Sequence, residues 1–193
     1  MQRFILTGAP GSGKTSILRI LAARGYPVIA EAATDVISAE QARGIGEPWQ
    51  DPAFIDKIIE LQRSRQLDQQ LDQPRQLDQH GDDTGPVEFY DRSPVCTQAL
   101  ATYSGYQPSA VLTAELARII EHSIYQRRVF FIRPLGFIEP TAARRISYSE
   151  SLRFERIHEN EYARWGFELI NIGPATPQVR ADLITDYLDG CRR

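Results

Sequence analysis

The sequence predicts an α/β protein, a three-layer α/β/α domain built on a five-stranded parallel sheet and spanning residues 1–193 as a single unit. Three observations carry this expectation. Short apolar runs alternate with helical patterns along the chain, which is the arrangement of parallel strands joined by right-handed crossover helices. The fourth run, Val129-Phe130-Phe131-Ile132, is almost wholly apolar, as a strand covered on both faces must be. A glycine-rich turn, Gly8-Ala9-Pro10-Gly11-Ser12-Gly13-Lys14-Thr15, stands between the first strand and the first helix. A chain of 193 residues is long enough for one full core plus a small insert.

The elements follow in order. Phe4-Ile5-Leu6 forms the first strand, and Ile17, Leu18, Leu21 and Ala22 repeat at helical spacing up to a stop at Gly25. Tyr26 to Ala30 reads as a second strand that delivers Glu31 at its carboxyl end, before a helix through Glu40. Asp51-Pro52 suits a helix start, and Phe54, Ile55, Ile58 and Ile59 continue it. That helix runs into three copies of Gln-Leu-Asp-Gln, at 66–69, 70–73 and 76–79. The tract at about 66–86 is polar and of low complexity, so the expectation is a frayed helical extension and a loop. Val87 to Asp91 is the third strand, Ser93 to Gly105 a helix and turn, and Ser109 to Gln126 an amphipathic helix. After the fourth strand comes an irregular, lid-like stretch at about 133–149. Glu150 to Trp165 is helical, Phe167 to Ile172 is the fifth strand, and Pro177 opens the last helix behind Thr176.

The turn at 8–15 satisfies G-x-x-x-x-G-K-[ST], the phosphate-binding loop, in the strand-to-helix context that the motif requires. Phosphate oxygens need several converging donors. Backbone N–H groups supply them where no side chain blocks the approach, which explains Gly8, Gly11 and Gly13. The helix start adds unpaired N–H groups and a positive dipole end. The whole loop from Gly8 through Ala9, Pro10, Gly11, Ser12, Gly13, Lys14 and Thr15 to Ser16 is thus the expected nucleotide cradle. Lys14 reaches the β- and γ-phosphates, and the Thr15 hydroxyl ligates Mg²⁺. ATP and Mg²⁺ are the expected cofactors, since the guanine-reading N-K-x-D string is absent.

Asp91-Arg92 is the second informative pair. A carboxylate ending a strand beside a phosphate loop is placed to hold Mg²⁺ opposite Thr15, and the next residue's guanidinium can bridge a phosphoryl group. Glu31 stands where an acceptor hydroxyl would lie, since ligands of open α/β sheets bind outside the carboxyl ends of the strands. Arg144 and Arg145, in the stretch after the fourth strand, are candidates to neutralise a transferring phosphate, with Arg133 a weaker one. The turn Gly173-Pro174-Ala175 is a candidate contact for the nucleotide base. His158 is expected at the surface, and His80 and His122 carry no functional reading. Cys96 and Cys191 lie too far apart for a metal spacing and read as buried or incidental thiols.

A net charge of −3 gives no overall basic field, so nucleic acid and anionic membranes are not expected partners. No apolar run approaches the roughly 20 residues that span a bilayer. With two distant cysteines and no leader pattern, the expected location is cytoplasmic.

On these residues the chain resembles a family of small AAA-labelled P-loop proteins, the ribosylnicotinamide-kinase-like ATPases, within the nucleoside and nucleotide kinase group. The resemblance rests on GAPGSGKT, on ARGYPVIAEAATDVI, on the strand end FYDRS and on RRISYSESLRFERIHENEYARWGFELINI, which together cover most of the chain. It implies a P-loop NTPase sheet in the order 2-3-1-4-5 with a lid over the phosphates. It also implies that Glu31 acts on the acceptor hydroxyl, that Asp91-Arg92-Ser93 stands for an E-R-S element, and that Arg144 and Arg145 are lid arginines. The Gln-Leu-Asp-Gln tract departs from the family pattern.

Two readings of function follow. In the first, a small-molecule kinase transfers the γ-phosphoryl group of ATP to a nucleoside-like or other hydroxyl-bearing metabolite. In the second, a regulatory ATPase reorders a segment that a protein partner reads.

Overall fold

The computed structural model describes residues 1–71, 85–136 and 147–191. The strands are β1 (Gln2–Thr7), β2 (Val28–Ile29), β3 (Val87–Asp91), β4 (Arg128–Ile132) and β5 (Glu168–Ile172). The helices are α1 (Lys14–Ala23), α2 (Ala32–Ala42), α3 (Ala53–Leu71), α4 (Pro94–Ser104), α5 (Ala110–Glu121), α6 (Tyr148–Arg164) and α7 (Pro177–Cys191). The strands form one sheet in the order β2-β3-β1-β4-β5, and every pairing is parallel.

The sheet is buried on both faces, and the two-residue period of its strands divides the core. On one face Ile5, Tyr90 and Val129 meet Ile55 and Ile59 of α3, Val95 of α4 and Leu112, Leu116 and Ile119 of α5. On the other, Phe4, Leu6, Phe89, Phe130 and Ile132 meet Ile17, Leu18 and Leu21 of α1 and Ala181, Ile184 and Leu188 of α7. A third cluster, Ala32, Val36, Phe54 and Ile58, binds α2 to α3. The register sets Leu6 beside both Asp91 and Phe130, and Ile29 beside Tyr90. The carboxyl ends of β1, β2 and β3 therefore finish together at one edge of the molecule.

Several boundaries differ from the sequence reading. β2 is confined to Val28–Ile29, because Pro27 has no N–H for the ladder and contributes only its carbonyl, which accepts from Phe89 at 2.9 Å. α5 stops at Glu121, five residues early, since Ser123 turns left-handed at φ 48°. α6 begins at Tyr148 because Ser147 and Glu150 form a reciprocal capping box. α3 absorbs the first Gln-Leu-Asp-Gln copy, and residues 72–84 lie outside the described residues.

His158 corrects an expectation. It is fully buried rather than at the surface, with Nδ1 at 2.9 Å from the Phe154 carbonyl and its ring edge-on to Phe154. The sequence of α6 is so charged that its inward face cannot be told from its outward one, and Glu155 and Glu161 turn inward as well. Burial, reinforced by the Arg92 cation, pushes the imidazole down to about 3. Among the described residues no helix is long and apolar enough to cross a membrane.

Two predictions follow. Phe89 is fully buried and packs against the rings of Phe4, Tyr26 and Phe130. Phe89→Ala is expected to cost about 3–5 kcal/mol in urea unfolding, and a loss under about 1 kcal/mol would contradict the packing. Between the ordinary imidazole value of 6.5 and about 3, the unfolded chain binds a proton at His158 that the folded chain refuses. Stability due to His158 is therefore lost as pH falls through that window. The unfolding free energy of wild type minus that of His158→Gln should decline from about pH 7 to about pH 4, and a pH-independent difference would refute this.

Candidate active site

The phosphate loop folds as its glycines allow. Gly8 takes φ 141°, and a side chain there would lie 2.3 Å from the Ile132 carbonyl at the end of β4. Gly11 and Gly13 are left-handed, at φ 82° and 91°. Gly13 caps α1 without any side-chain acceptor, so the first-turn amides of the helix remain available to an anion. Thr15 and Ser16 follow, exposed on the first turn.

Lys14 is 7% exposed and folds back over the loop, where Nζ donates to the carbonyls of Gly8 (3.1 Å) and Ala9 (3.2 Å). Burial, with a smaller push from Arg92, lowers its pKa to about 8, against the attraction of Asp91 and Glu31. It is a cation held by weak acceptors, easily transferred to a phosphate.

β3 delivers the opposing charges. Asp91 is its last residue, paired across to Leu6. Its Oδ1 is buried and has no hydrogen-bond partner. Burial raises the Asp91 carboxyl despite Lys14. Arg92 adopts φ 74°, uncommon for any residue but glycine, and its N–H donates to the Leu6 carbonyl at 3.1 Å. That bond extends the strand pairing into a conformation that costs about 1–3 kcal/mol, a type of strain that clusters at functional sites. Arg92 Nε lies 2.5 Å from Glu31 Oε1 as a charge contact without hydrogen-bond alignment. Glu31 caps the start of α2, where its Oε2 accepts from the Thr34 hydroxyl at 3.0 Å. Burial pushes the Glu31 carboxyl up, but Arg92 and then Lys14 outweigh it, and the net shift is downward.

Lys14, Glu31, Asp91 and Arg92 thus converge as two cations and two anions. The donor set fits a hard cation carried in on phosphate. An orphaned carboxylate oxygen and the Thr15 hydroxyl are oxygen ligands of the kind Mg²⁺ takes, with phosphates and waters completing its shell. Among the described residues no group of three or more His, Cys, Asp or Glu could hold a metal unaided.

Beside this cluster lies a small cleft lined by Gln62 and Arg65 of α3, Tyr90 and Tyr125, together with Asp91 and Arg92. Arg65 is anchored by donating to the Ala30 carbonyl at 2.9 Å and by pairing with Asp35. The sequence reading missed these residues. No sequence signal set them apart, since Gln62 and Arg65 stand in the polar run Gln62-Arg63-Ser64-Arg65-Gln66.

Other candidates fare differently. Arg133 is committed to Glu155 (2.8 Å) and Glu159 (2.6 Å) and lies over the Phe131 ring. It is a structural cation in this conformation. Arg144 and Arg145 lie outside the described residues. Gly173 of the Gly173-Pro174-Ala175 turn accepts a hydrogen bond from Arg180, a residue the sequence reading did not single out. Cys96 is buried as expected, bonded to Thr7 and Tyr162.

Comparison with known proteins bears on this arrangement. A family described as an AAA domain matches residues 3–180. A solved structure of deoxyadenosine kinase from M. mycoides with bound dCTP is similar, with a TM-score of 0.56 and 12% identity over 98% of this chain and 100% of that one. The same kinase with bound dATP gives 0.55 and 14% at the same coverage. With the products dCMP and a flexible dCDP it gives 0.54 and 13%, again over 98% and 100%. No curated protein matches. At these identities the likeness is one of fold, a parallel sheet in the order 2-3-1-4-5 with flanking helices as in P-loop kinases. With the family match extending over nearly the whole chain, this protein belongs to the AAA domain family and carries the P-loop kinase fold.

Proposed function

We propose that this chain is a single-domain, ATP- and Mg²⁺-dependent kinase that phosphorylates a hydroxyl group of a small, nucleoside-like metabolite. The observation that carries this reading is the meeting of two cations and two carboxylates at the strand ends. One of those carboxylates keeps a buried oxygen without a partner. The fold shared with deoxyadenosine kinases supports a nucleoside-like acceptor.

The residues then take these roles. The loop amides from Gly8 to Ser16 and the Lys14 ammonium hold the polyphosphate, with Lys14 exchanging the Gly8 and Ala9 carbonyls for phosphate oxygens. Thr15 and Asp91 would hold Mg²⁺, which would supply charge neutralisation to the polyphosphate when bound. The acceptor enters beside Gln62, Arg65, Tyr90 and Tyr125, whose cleft is too small for it in this conformation and opens to admit it, with its hydroxyl toward Glu31. Arg92 leaves Glu31 for the transferring phosphoryl group, removing the main cation that keeps Glu31 acidic. Glu31 becomes a stronger proton acceptor at the step that needs one. Arg144 and Arg145 are proposed to complete the phosphate shell. Catalysis by positioning and electrostatics needs nothing further, since phosphoryl transfer asks little covalent chemistry of the protein.

The direct test is transfer of labelled γ-phosphate from ATP to a panel of nucleosides and related metabolites. Glu31→Gln is expected to reduce transfer by about 10²–10⁴-fold while ATP affinity stays near that of wild type. A mild effect on turnover would instead favour the regulatory reading. The pH dependence is a second expectation. Lys14 must be charged to bind ATP and titrates at about 8 in the free protein. ATP affinity should be flat below that value and fall above it by about tenfold per pH unit. Titration calorimetry on wild type and Lys14→Ala checks this, because the variant should bind weakly without that break.

A further inference from the structure

Arg180, in the first turn of α7, is 1% exposed and stands 168 residues from the phosphate loop it touches. Its guanidinium is used on every side. Nε donates to the Gly173 carbonyl at 2.9 Å, and Nη1 donates to the Ser12 carbonyl at 2.6 Å. Nη2 donates to the Arg133 carbonyl and, at 3.4 Å, to that of Ile172. These acceptors come from three separate segments, which are the phosphate loop, the chain just past β4, and the end of β5 with its turn. Among the described residues no carboxylate answers its charge, and burial is the only influence on its proton affinity. A buried arginine satisfied by carbonyls alone is an unusual choice for a scaffold, where an apolar side chain would avoid the desolvation cost.

The bond to Ser12 has a consequence for the cradle. No cis peptide occurs among the described residues, so the Ser12 C=O and the Gly13 N–H point in opposite directions across a planar unit. Drawing the carbonyl onto Arg180 turns the Gly13 N–H away from the guanidinium. The guanidinium also lies against Gly13, where an added Cβ would be 3.2 Å from Nη1. An arginine fork can hold this geometry, whereas a lysine offers one nitrogen to acceptors that lie in different directions.

Resting on the phosphate-binding reading of the loop, we infer that Arg180 is a positioning residue for polyphosphate. It pins the Ser12–Gly13 peptide with its amide toward the cradle and locks the loop to the 171–176 turn, so that filling the one steadies the other.

The test uses inorganic tripolyphosphate with Mg²⁺, a probe without a base or sugar to touch the 171–176 turn. In the wild-type protein it should slow amide exchange in residues 8–16 and also in 171–176. Protection confined to 8–16 would overturn the coupling, and this holds without any variant. Absence of any binding would instead overturn the phosphate-loop reading and the inference with it. Arg180→Lys should weaken tripolyphosphate binding roughly tenfold, about the worth of one loop amide turned off its phosphate oxygen, and abolish the protection of 171–176. A variant that melts earlier yet binds tripolyphosphate as wild type does would make Arg180 part of the scaffold only. Arg180→Met leaves the Ser12, Arg133 and Gly173 carbonyls without this donor, while that of Ile172 keeps the Arg133 N–H; if it fails to fold, the lysine variant and the wild-type exchange still decide the matter.

Discussion

Keeping a lysine charged in a nearly closed site is the constraint on which the rest of this structure turns. Lys14 has little solvent to stabilise it, and Arg92 stands close enough to work against it. Two main-chain carbonyls and the fields of Asp91 and Glu31 are what hold the ammonium. Those carboxylates sit at the ends of β3 and β2, so their position depends on the parallel register that brings these strands level with β1. The cradle, the sheet order and the charge balance are one arrangement viewed at three scales.

The two carboxylates are not equivalent. Glu31 is pulled down by its arginine, and Asp91 is pushed up by burial with one oxygen unpaired. Neighbouring acids displaced in opposite directions divide labour, since one stays ionised while the other waits for a cation or a proton. The left-handed backbone at Arg92 is what permits this. The Arg92 N–H is tied to the Leu6 carbonyl while its guanidinium lies against Glu31.

Behind that corner runs a buried polar chain. Tyr162 of α6 bonds to Ser93 and Cys96 at the start of α4, and Cys96 to Thr7 at the end of β1. These groups are fully inside the protein, and each satisfies the next, so α6 is fixed to the site by direction as well as by apolar area. His158 lies on the same helix with its Nε2 buried and unpartnered. Such groups resist ionisation, and the neutral imidazole leaves the field at the strand ends to Lys14 and Arg92.

The amino-acid sequence by itself determined the fold class, the phosphate loop and the strand-end residues Glu31, Asp91 and Arg92. Each of these is written locally, in glycines that alone accept the loop's backbone angles, in apolar runs of strand length, and in polar residues placed just past them. The tertiary structure decided what those residues do to one another. The pairing of Arg92 with Glu31, the commitment of Arg133 to α6, the inward turn of His158 and the reach of Arg180 to Ser12 all join segments distant in the chain. A charged helix such as α6 does not announce which side faces inward. Only the surface packed against it selects which polar groups are desolvated, and desolvation is what gives a charge its chemistry.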